Sequence, residues 1–243
     1  MIKRNYYKIV RIFPDPSSYF YIKNETMNRL DMHFNSPWLS TVNLEYSFDK
    51  VNWKRVNDDI YIPADGYVYF RNTSGTFCTS EYTQVLQPYG NISLGGDIRT
   101  LFNYTDVDSV TKIPDYGFSQ ILSMQNDSKI TDISNLSLRG IREIGNYGLS
   151  FTFAWSYIGA KGVDLRDVTT LGESALQNLY YDNPTFTEAY APNVSTWDSN
   201  KTSQWLYGVA PTGVVYKPST LSIPTYNESG IPSGWTTQDY PVE

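Results

Sequence analysis

Few side chains in this 243-residue chain could carry out covalent or metal chemistry: it has one histidine, His33, and one cysteine, Cys78. A lone cysteine cannot form an intramolecular disulfide. The two residues together cannot supply a four-cysteine site, a site of paired cysteines and histidines, or an HExxH motif. A histidine-dependent triad would have to use His33, which falls on the polar side of an alternating stretch, Leu30–Phe34, and reads as structural. Cys78, between Phe77 and Thr79, reads as a small buried hydrophobe. Paired carboxylates are the remaining route to catalysis, because two acids across a bond can hydrolyse a glycoside. Asp164 and Asp167 fall on a strand and its following turn, and Glu143 and Glu173 occupy equivalent places in consecutive repeats. Acids on a repeat surface recur because the repeat recurs, so they read as structural. There is no Walker A loop, no GxGxxG and no GxSxG elbow, and Gly95-Gly96-Asp97 does not complete a calcium nonapeptide. The sequence therefore assigns no catalytic residue, no metal ligand and no cofactor, and the expectation is a protein that is not an enzyme.

Aromatic residues are the better functional candidates. Between the repeats lie Phe151, Phe153, Trp155 and Tyr157, then Tyr180 and Tyr181, then Trp205 and Tyr207. Rings of this kind fill a core, anchor a protein interface or stack on sugars. Trp155, Tyr157, Tyr180, Tyr181, Trp205 and Tyr207 form the candidate binding surface. A second candidate is the start of the chain. Lys3, Arg4, Tyr6, Tyr7, Lys8 and Arg11 make a basic, aromatic, strand-forming segment without an acid, suited to docking on an acidic partner by strand addition. The rival reading is a first strand of the chain's own sheet.

Composition says which elements must position these residues. Charged residues are only 18% of the chain and aromatics 16%, including 21 tyrosines. Long helices with charged faces and coiled coils are disfavoured, and a β-rich fold is favoured. The net charge of −6 lacks the basic footprint of a nucleic-acid binder. No stretch approaches the roughly 18 apolar residues of a membrane span, and the first residues lack the apolar core of a signal peptide.

Residues 1–95 alternate in short runs: Lys8–Phe13, Leu30–Phe34, Leu44–Phe48, Val51–Arg55, Ile60–Ile62 and Tyr67–Arg71, with a turn at Pro63-Ala-Asp-Gly66. Short strands with turn signals between them predict an antiparallel β-sandwich. From residue 96 a longer period takes over. The phrase Leu136-Ser-Leu138-Arg-Gly-Ile141-Arg-Glu-Ile144-Gly145 returns as Val163-Asp-Leu165-Arg-Asp-Val168-Thr-Thr-Leu171-Gly172, then as Ala189-Tyr-Ala191-Pro-Asn-Val194-Ser-Thr-Trp197. Weaker copies start at Val107 and Val214. The anchors Val110, Ile141, Val168, Val194 and Ser219 are 31, 27, 26 and 25 residues apart, a leucine-rich-repeat spacing. After each phrase comes Tyr116-Gly117-Phe118, Tyr147-Gly148-Leu149 or Ser174-Ala175-Leu176, predicted as a short helical turn with a small residue where one copy approaches the next. The expected architecture is mainly β: a sandwich over 1–95 and a short, irregular leucine-rich solenoid over 96–243, with a proline-rich tail as its cap.

Ile144-Gly-Asn-Tyr-Gly-Leu149 and Leu171-Gly-Glu-Ser-Ala-Leu176, each preceded by a strand end, resemble BspA-type leucine-rich repeats over about residues 105–220. The Cys and Asn that usually follow the Phe of that consensus are missing. Leu44–Trp53 with Ile62–Arg71 resembles the small β-domain that precedes such repeats, and Gly230-Ile-Pro-Ser-Gly-Trp235 is similar to their closing phrase. This pairing is found in gut Bacteroidetes and in virion proteins of their tailed, crAss-like phages. The resemblance implies a non-enzymatic structural or attachment component, a head or tail fibre or appendage. Its partners would be other virion proteins and a host surface glycan or protein, in a homo-oligomer such as a trimer, without nucleic acid or membrane insertion. The alternatives are a cell-surface adhesin and a tail depolymerase. The lack of a signal segment favours the virion.

Overall fold

The computed structural model describes residues 19–34, 43–72, 86–120 and 129–241. The expected strand over 8–13, the attachment residues Lys3, Arg4, Tyr6, Tyr7, Lys8 and Arg11, and Cys78 lie outside them. The chain is mainly β and its sheets are open. The strands in chain order are β1 (Phe20–Asn24), β2 (Leu30–Phe34), β3 (Leu44–Ser47), β4 (Lys54–Arg55), β5 (Ile60–Ile62), β6 (Tyr67–Asn72), β7 (Leu86–Pro88) and β8 (Ile92–Asp97). They continue as β9 (Lys112–Ile113), β10 (Ile130–Ser137), β11 (Glu143–Ile144), β12 (Thr170–Leu171), β13 (Glu188–Tyr190), β14 (Gly213–Lys217) and β15 (Trp235–Asp239).

One sheet runs β10-β8-β1-β6-β3-β4 and a second β5-β2-β7. Alternation places Phe20 and Ile22 of β1 and Val68 and Phe70 of β6 inward, with Tyr21, Lys23, Tyr67 and Tyr69 on the other side of the sheet. Phe34 of the second sheet meets Phe70 of the first, ring centroids 6.3 Å apart. The expected alternation fails at Leu44–Arg55. Asp49 accepts hydrogen bonds from the N–H groups of Val51 and Asn52, both 2.8 Å, and so folds 47–52 into a side-chain-pinned turn. Phe48 and Val51 are left exposed, Ser47 is buried, and strand returns only at Lys54.

β8 joins the two sequence patterns. It pairs antiparallel with β1 and parallel with β10, so the pattern change near residue 95 falls within a shared sheet. Gly95 sits opposite Tyr21 in this pairing, and a Cβ there would lie 2.2 Å from the phenol oxygen. The ring lies in the place where a side chain at 95 would stand.

Beyond β8 the copies lie side by side. Ile144 pairs in parallel with Ile113 and with Leu171, the register expected from the repeat alignment. At β13–β14 the register differs by one residue: Ala189 faces Val215, not Val214, and Val215 is the buried residue. The inward positions Leu138, Ile141, Leu165, Val168, Ala189 and Ala191 are buried, while Val194 packs partly exposed against them. The proline-rich tail adds a further parallel rung, β15, beside β14. Three tryptophans fasten this end. Their indole N–H groups donate to backbone carbonyls, Trp197 to Ser229 at 2.6 Å, Trp205 to Gly230 at 2.8 Å and Trp235 to Ala210 at 2.7 Å.

The predicted helical turns are not helical. In residues 147–155 the N–H groups alternate. Gly148, Ser150 and Thr152 donate to the carbonyl three residues back in their own copy. Tyr147, Leu149, Phe151, Phe153 and Trp155 donate instead to Glu173, Ala175, Gln177, Leu179 and Tyr181 of the next copy, at 2.7–3.0 Å. Every fourth residue takes a left-handed φ: Tyr147, Phe151 and Trp155 (54–55°), then Ser174, Asn178 and Asp182 (51–53°). Each such non-glycine residue costs about 1–2 kcal/mol, and a cross-copy hydrogen bond returns about 0.5–1.5 kcal/mol. In 147–155 five such bonds roughly offset three such residues, which leaves little to meet the lost freedom of the chain. The buried row of Phe118, Leu149, Phe153, Leu176, Leu179 and Tyr180 beneath them supplies the rest.

The small residue in these runs answers to its own copy rather than to the next one. A Cβ at Gly148 would lie 2.6 Å from Ile144 Cγ2, and one at Gly117 2.9 Å from Ile113 Cγ2. Leucine has no Cγ2, and where Leu171 replaces isoleucine the slot holds Ala175, fully buried. Gly148→Ala is expected to lose about 1–3 kcal/mol by overpacking. Adding Ile144→Leu should restore more than half of that loss, measured by urea denaturation. A double variant no more stable than Gly148→Ala alone would contradict the steric pairing.

Candidate functional site

Three of the four acids singled out in the sequence hold the chain through their carboxylates. Asp164 accepts the Arg166 backbone N–H at 3.0 Å and pairs with its guanidinium at 2.7 Å. Asp167 accepts the N–H of Gly140 in the preceding copy at 2.8 Å. Glu143 pairs with Lys112, also across copies, at 2.5 Å. Glu173 is exposed and its backbone N–H donates to Asn146 Oδ1, while the Asn146 N–H donates to Asp115 Oδ1. Sequence reasoning missed this side-chain ladder, although Asp115, Asn146 and Glu173 stand at one place of the aligned repeat. Asp97 and Arg99 form the same Asp-x-Arg clasp as Asp164 and Arg166, but buried, with side chains 1% and 8% exposed. Asp97→Ala would leave a buried guanidinium without its closest partner and should cost about 3–5 kcal/mol. Glu143→Gln, at a half-exposed pair, should cost less than about 1 kcal/mol. Chemical denaturation of both variants measures the difference, and equal costs would contradict the buried clasp.

His33 Nδ1 lies 2.6 Å from Asp59 Oδ2, and its ring meets Tyr89 edge-on. Among the described residues no hydroxyl is hydrogen-bonded to this pair.

The six candidate aromatics divide by burial. Tyr180 and Trp205 are 1% and 0% exposed and are corrected to core residues. Tyr180 stacks on Phe186 at 4.0 Å, and its hydroxyl accepts the Val163 N–H at 2.9 Å. Burial pushes its phenol well above the ordinary range. The reason is periodic: in residues 147–155 only every fourth residue, Tyr147, Phe151 and Trp155, escapes burial, and in the next copy Tyr181 does so while its neighbour Tyr180 does not. Trp155, Tyr157 and Tyr207 are 47%, 50% and 43% exposed, and Tyr181 is half-buried. Trp155, Tyr181 and Tyr207, one from each of three successive copies, touch in sequence. Trp155 meets Tyr181 edge-on at 5.8 Å, and Tyr181 stacks on Tyr207 at 5.1 Å. Phe151 stacks on Trp155. Lys129 Nζ lies 5.4 Å from the Tyr157 ring and donates to the Trp155 carbonyl. The outcome is an exposed aromatic ridge across the turn runs.

A second aromatic surface covers the outer side of the six-stranded sheet, where Tyr21 meets Tyr67 and Tyr69. Its cations are held locally. Arg71 lies between Trp53 and Tyr104 and bonds Glu45 at 2.6 Å, and Lys23 bonds Glu25 at 2.9 Å. Burial first, then the neighbouring Tyr67, Asp132 and Tyr69, push the Tyr21 phenol from 10.0 up to about 12 against a hydrogen bond with Asn135. The folded state thus favours the neutral phenol. Its contribution is complete below pH 10 and is lost as pH rises from 10 towards 12. The urea midpoint of the wild type should fall more steeply over that window than that of Tyr21→Phe. Parallel curves would contradict this assignment.

Among the described residues no group of three or more His, Cys, Asp or Glu is placed to hold a metal ion, and no helix is long and apolar enough to cross a membrane. Comparison of the chain with protein-family models, with curated proteins and with solved structures found no match.

Proposed function

We propose that the protein is a non-enzymatic attachment component of a virion, a β-sandwich leading into a short leucine-rich solenoid whose turn runs face the partner. The ridge Trp155–Tyr181–Tyr207 carries this reading: three copies each contribute a ring, and the rings touch one another while staying open to solvent. Exposed rings fixed in place lose little side-chain freedom on binding, which favours them as anchors. The acids offered for hydrolysis give further support, since Asp164, Asp167 and Glu143 are occupied by structural bonds. The solenoid reading draws on the parallel pairing of Ile113, Ile144 and Leu171. The virion assignment draws on the resemblance to phage repeat proteins, whose hosts are gut Bacteroidetes, and implies other virion proteins and copies of this chain as partners.

Labelled protein incubated with a panel of gut Bacteroidetes strains tests the attachment reading. Retention on at least one strain is expected. Trp155→Ser combined with Tyr207→Ser should reduce it about tenfold, a change of about 1.4 kcal/mol, with an unchanged melting temperature. No retention on any strain would contradict attachment, and equal retention of the variant would remove the ridge from it.

A further inference from the structure

The ladder β9-β11-β12 stops at β12 instead of continuing to the next copy at Trp197. The residue after each ladder position changes at the same point. This slot holds Pro114, Gly145 and Gly172 in the first three copies and Asp198 in the fourth. At Gly172 a Cβ would lie 2.5 Å from the Asn146 backbone nitrogen, so a residue with a side chain cannot approach as closely. Past that slot the Ser174 N–H donates to the Asn200 carbonyl of the fourth copy at 3.1 Å, and an open depression of about 660 Å3 lies along this seam. Six of its lining residues are Glu173, Gln177, Asp198, Asn200, Lys201 and Ser203.

The chemistry of this lining is selective. The volume is that of a small-ligand site, yet carboxylates, amides, hydroxyls and one ammonium line it without an aromatic or aliphatic side chain. Such a surface offers an apolar ligand only the methylene stems of polar side chains. Two carboxylates against one ammonium disfavour an anion, and Lys201 disfavours a metal ion. Dense, mixed donors and acceptors match a ligand that is itself dense in hydroxyls. The position adds to this. Gln177 and Tyr181 occupy equivalent places in successive four-residue turns, as do Ser203 and Tyr207, and all four reach the surface. The polar depression and the aromatic ridge therefore adjoin on one face.

We propose that the depression is a saccharide subsite, taking one unit of a neutral oligosaccharide on Glu173, Gln177, Asp198 and Ser203 while the next unit borders Tyr181 and Tyr207. Tyr181 and Tyr207 each turn one face to the other, so edges and hydroxyls meet that border, and the depression provides the specificity. This rests on the reading of the turn face as the attachment face.

Amide shifts of the full chain, titrated separately with trisaccharides of glucose, galactose, mannose and N-acetylglucosamine up to about 20 mM, test the proposal. At least one sugar should shift residues 173–177 and 198–203 with millimolar or tighter affinity. Gln177→Ala and Glu173→Gln, whose side chains face solvent, should each weaken it about tenfold without changing the melting temperature. No shifts with any of the four, or shifts elsewhere only, overturn the proposal. Cell retention separates it from the attachment reading. Retention that depends on Trp155 and Tyr207 but survives Gln177→Ala overturns the subsite and leaves attachment standing. Loss of retention in Gln177→Ala, reversed by no change at the ridge, supports the subsite.

Discussion

The direction in which every second amide of the turn runs points is the constraint on which the rest depends. An α-helix closes every N–H group beyond its first turn within itself, so the body of a helix needs no neighbour for its hydrogen bonds. The run 147–155 closes only alternate ones and sends Tyr147, Leu149, Phe151, Phe153 and Trp155 to the following copy. A single copy would leave five donors open and three residues in a left-handed conformation without compensation. The copies must therefore stack in register. The four-residue interval sorts the rings: Phe153 and Tyr180 go to the core with Leu149 and Leu176 four residues before them, and Trp155 and Tyr181 to the surface with Phe151 and Gln177.

Stacking has to begin and end somewhere, and both ends show how. At the first, β8 gives one edge to the antiparallel strand β1 and the other to the parallel strand β10, with the Asp97–Arg99 clasp buried at its end. At the last, the turn-run donors of 174–182 are met by 200–207, where Thr202 replaces an apolar residue. Thr202 is buried and donates to the Ser229 carbonyl at 3.0 Å, and the indoles of Trp197, Trp205 and Trp235 tie the tail down. Between these ends, the ladder of β9, β11 and β12 stops at β12, and an open depression lies along the seam with the next copy. The proposed subsite is a local failure of the packing rule that the other copies obey.

Much of this was legible in the residues. The parallel register of Ile113, Ile144 and Leu171 and the buried positions Leu138, Ile141, Leu165 and Val168 follow from spacing and apolarity. The β-rich character follows from composition. The turn runs were not legible, because a spacing of i, i+3, i+4 and i+5 is shared by a helix and by stacked turns, and because Tyr147, Phe151 and Trp155 are unusual residues at left-handed φ. The four-residue interval among Tyr147, Phe151 and Trp155 was the available signal. The same ambiguity put Tyr180 and Trp205 on the expected surface. The one-residue slip at Ala189 arose because Val214 and Val215 are chemically alike and only packing chooses between them. The depression lay hidden because it belongs to the seam between two copies, lined by Glu173 and Gln177 of one and by Asp198, Asn200, Lys201 and Ser203 of the next, and a seam is not a pattern within either copy.

Hydrogen-bond scalar couplings between amide nitrogen and carbonyl carbon report donor–acceptor pairs directly. In the full chain, correlations are predicted from Leu149 to Ala175, from Phe153 to Leu179 and from Tyr180 to Trp205. Correlations from these amides to carbonyls four residues earlier in their own copy, such as Leu149 to Gly145, would make the runs helices and contradict the account.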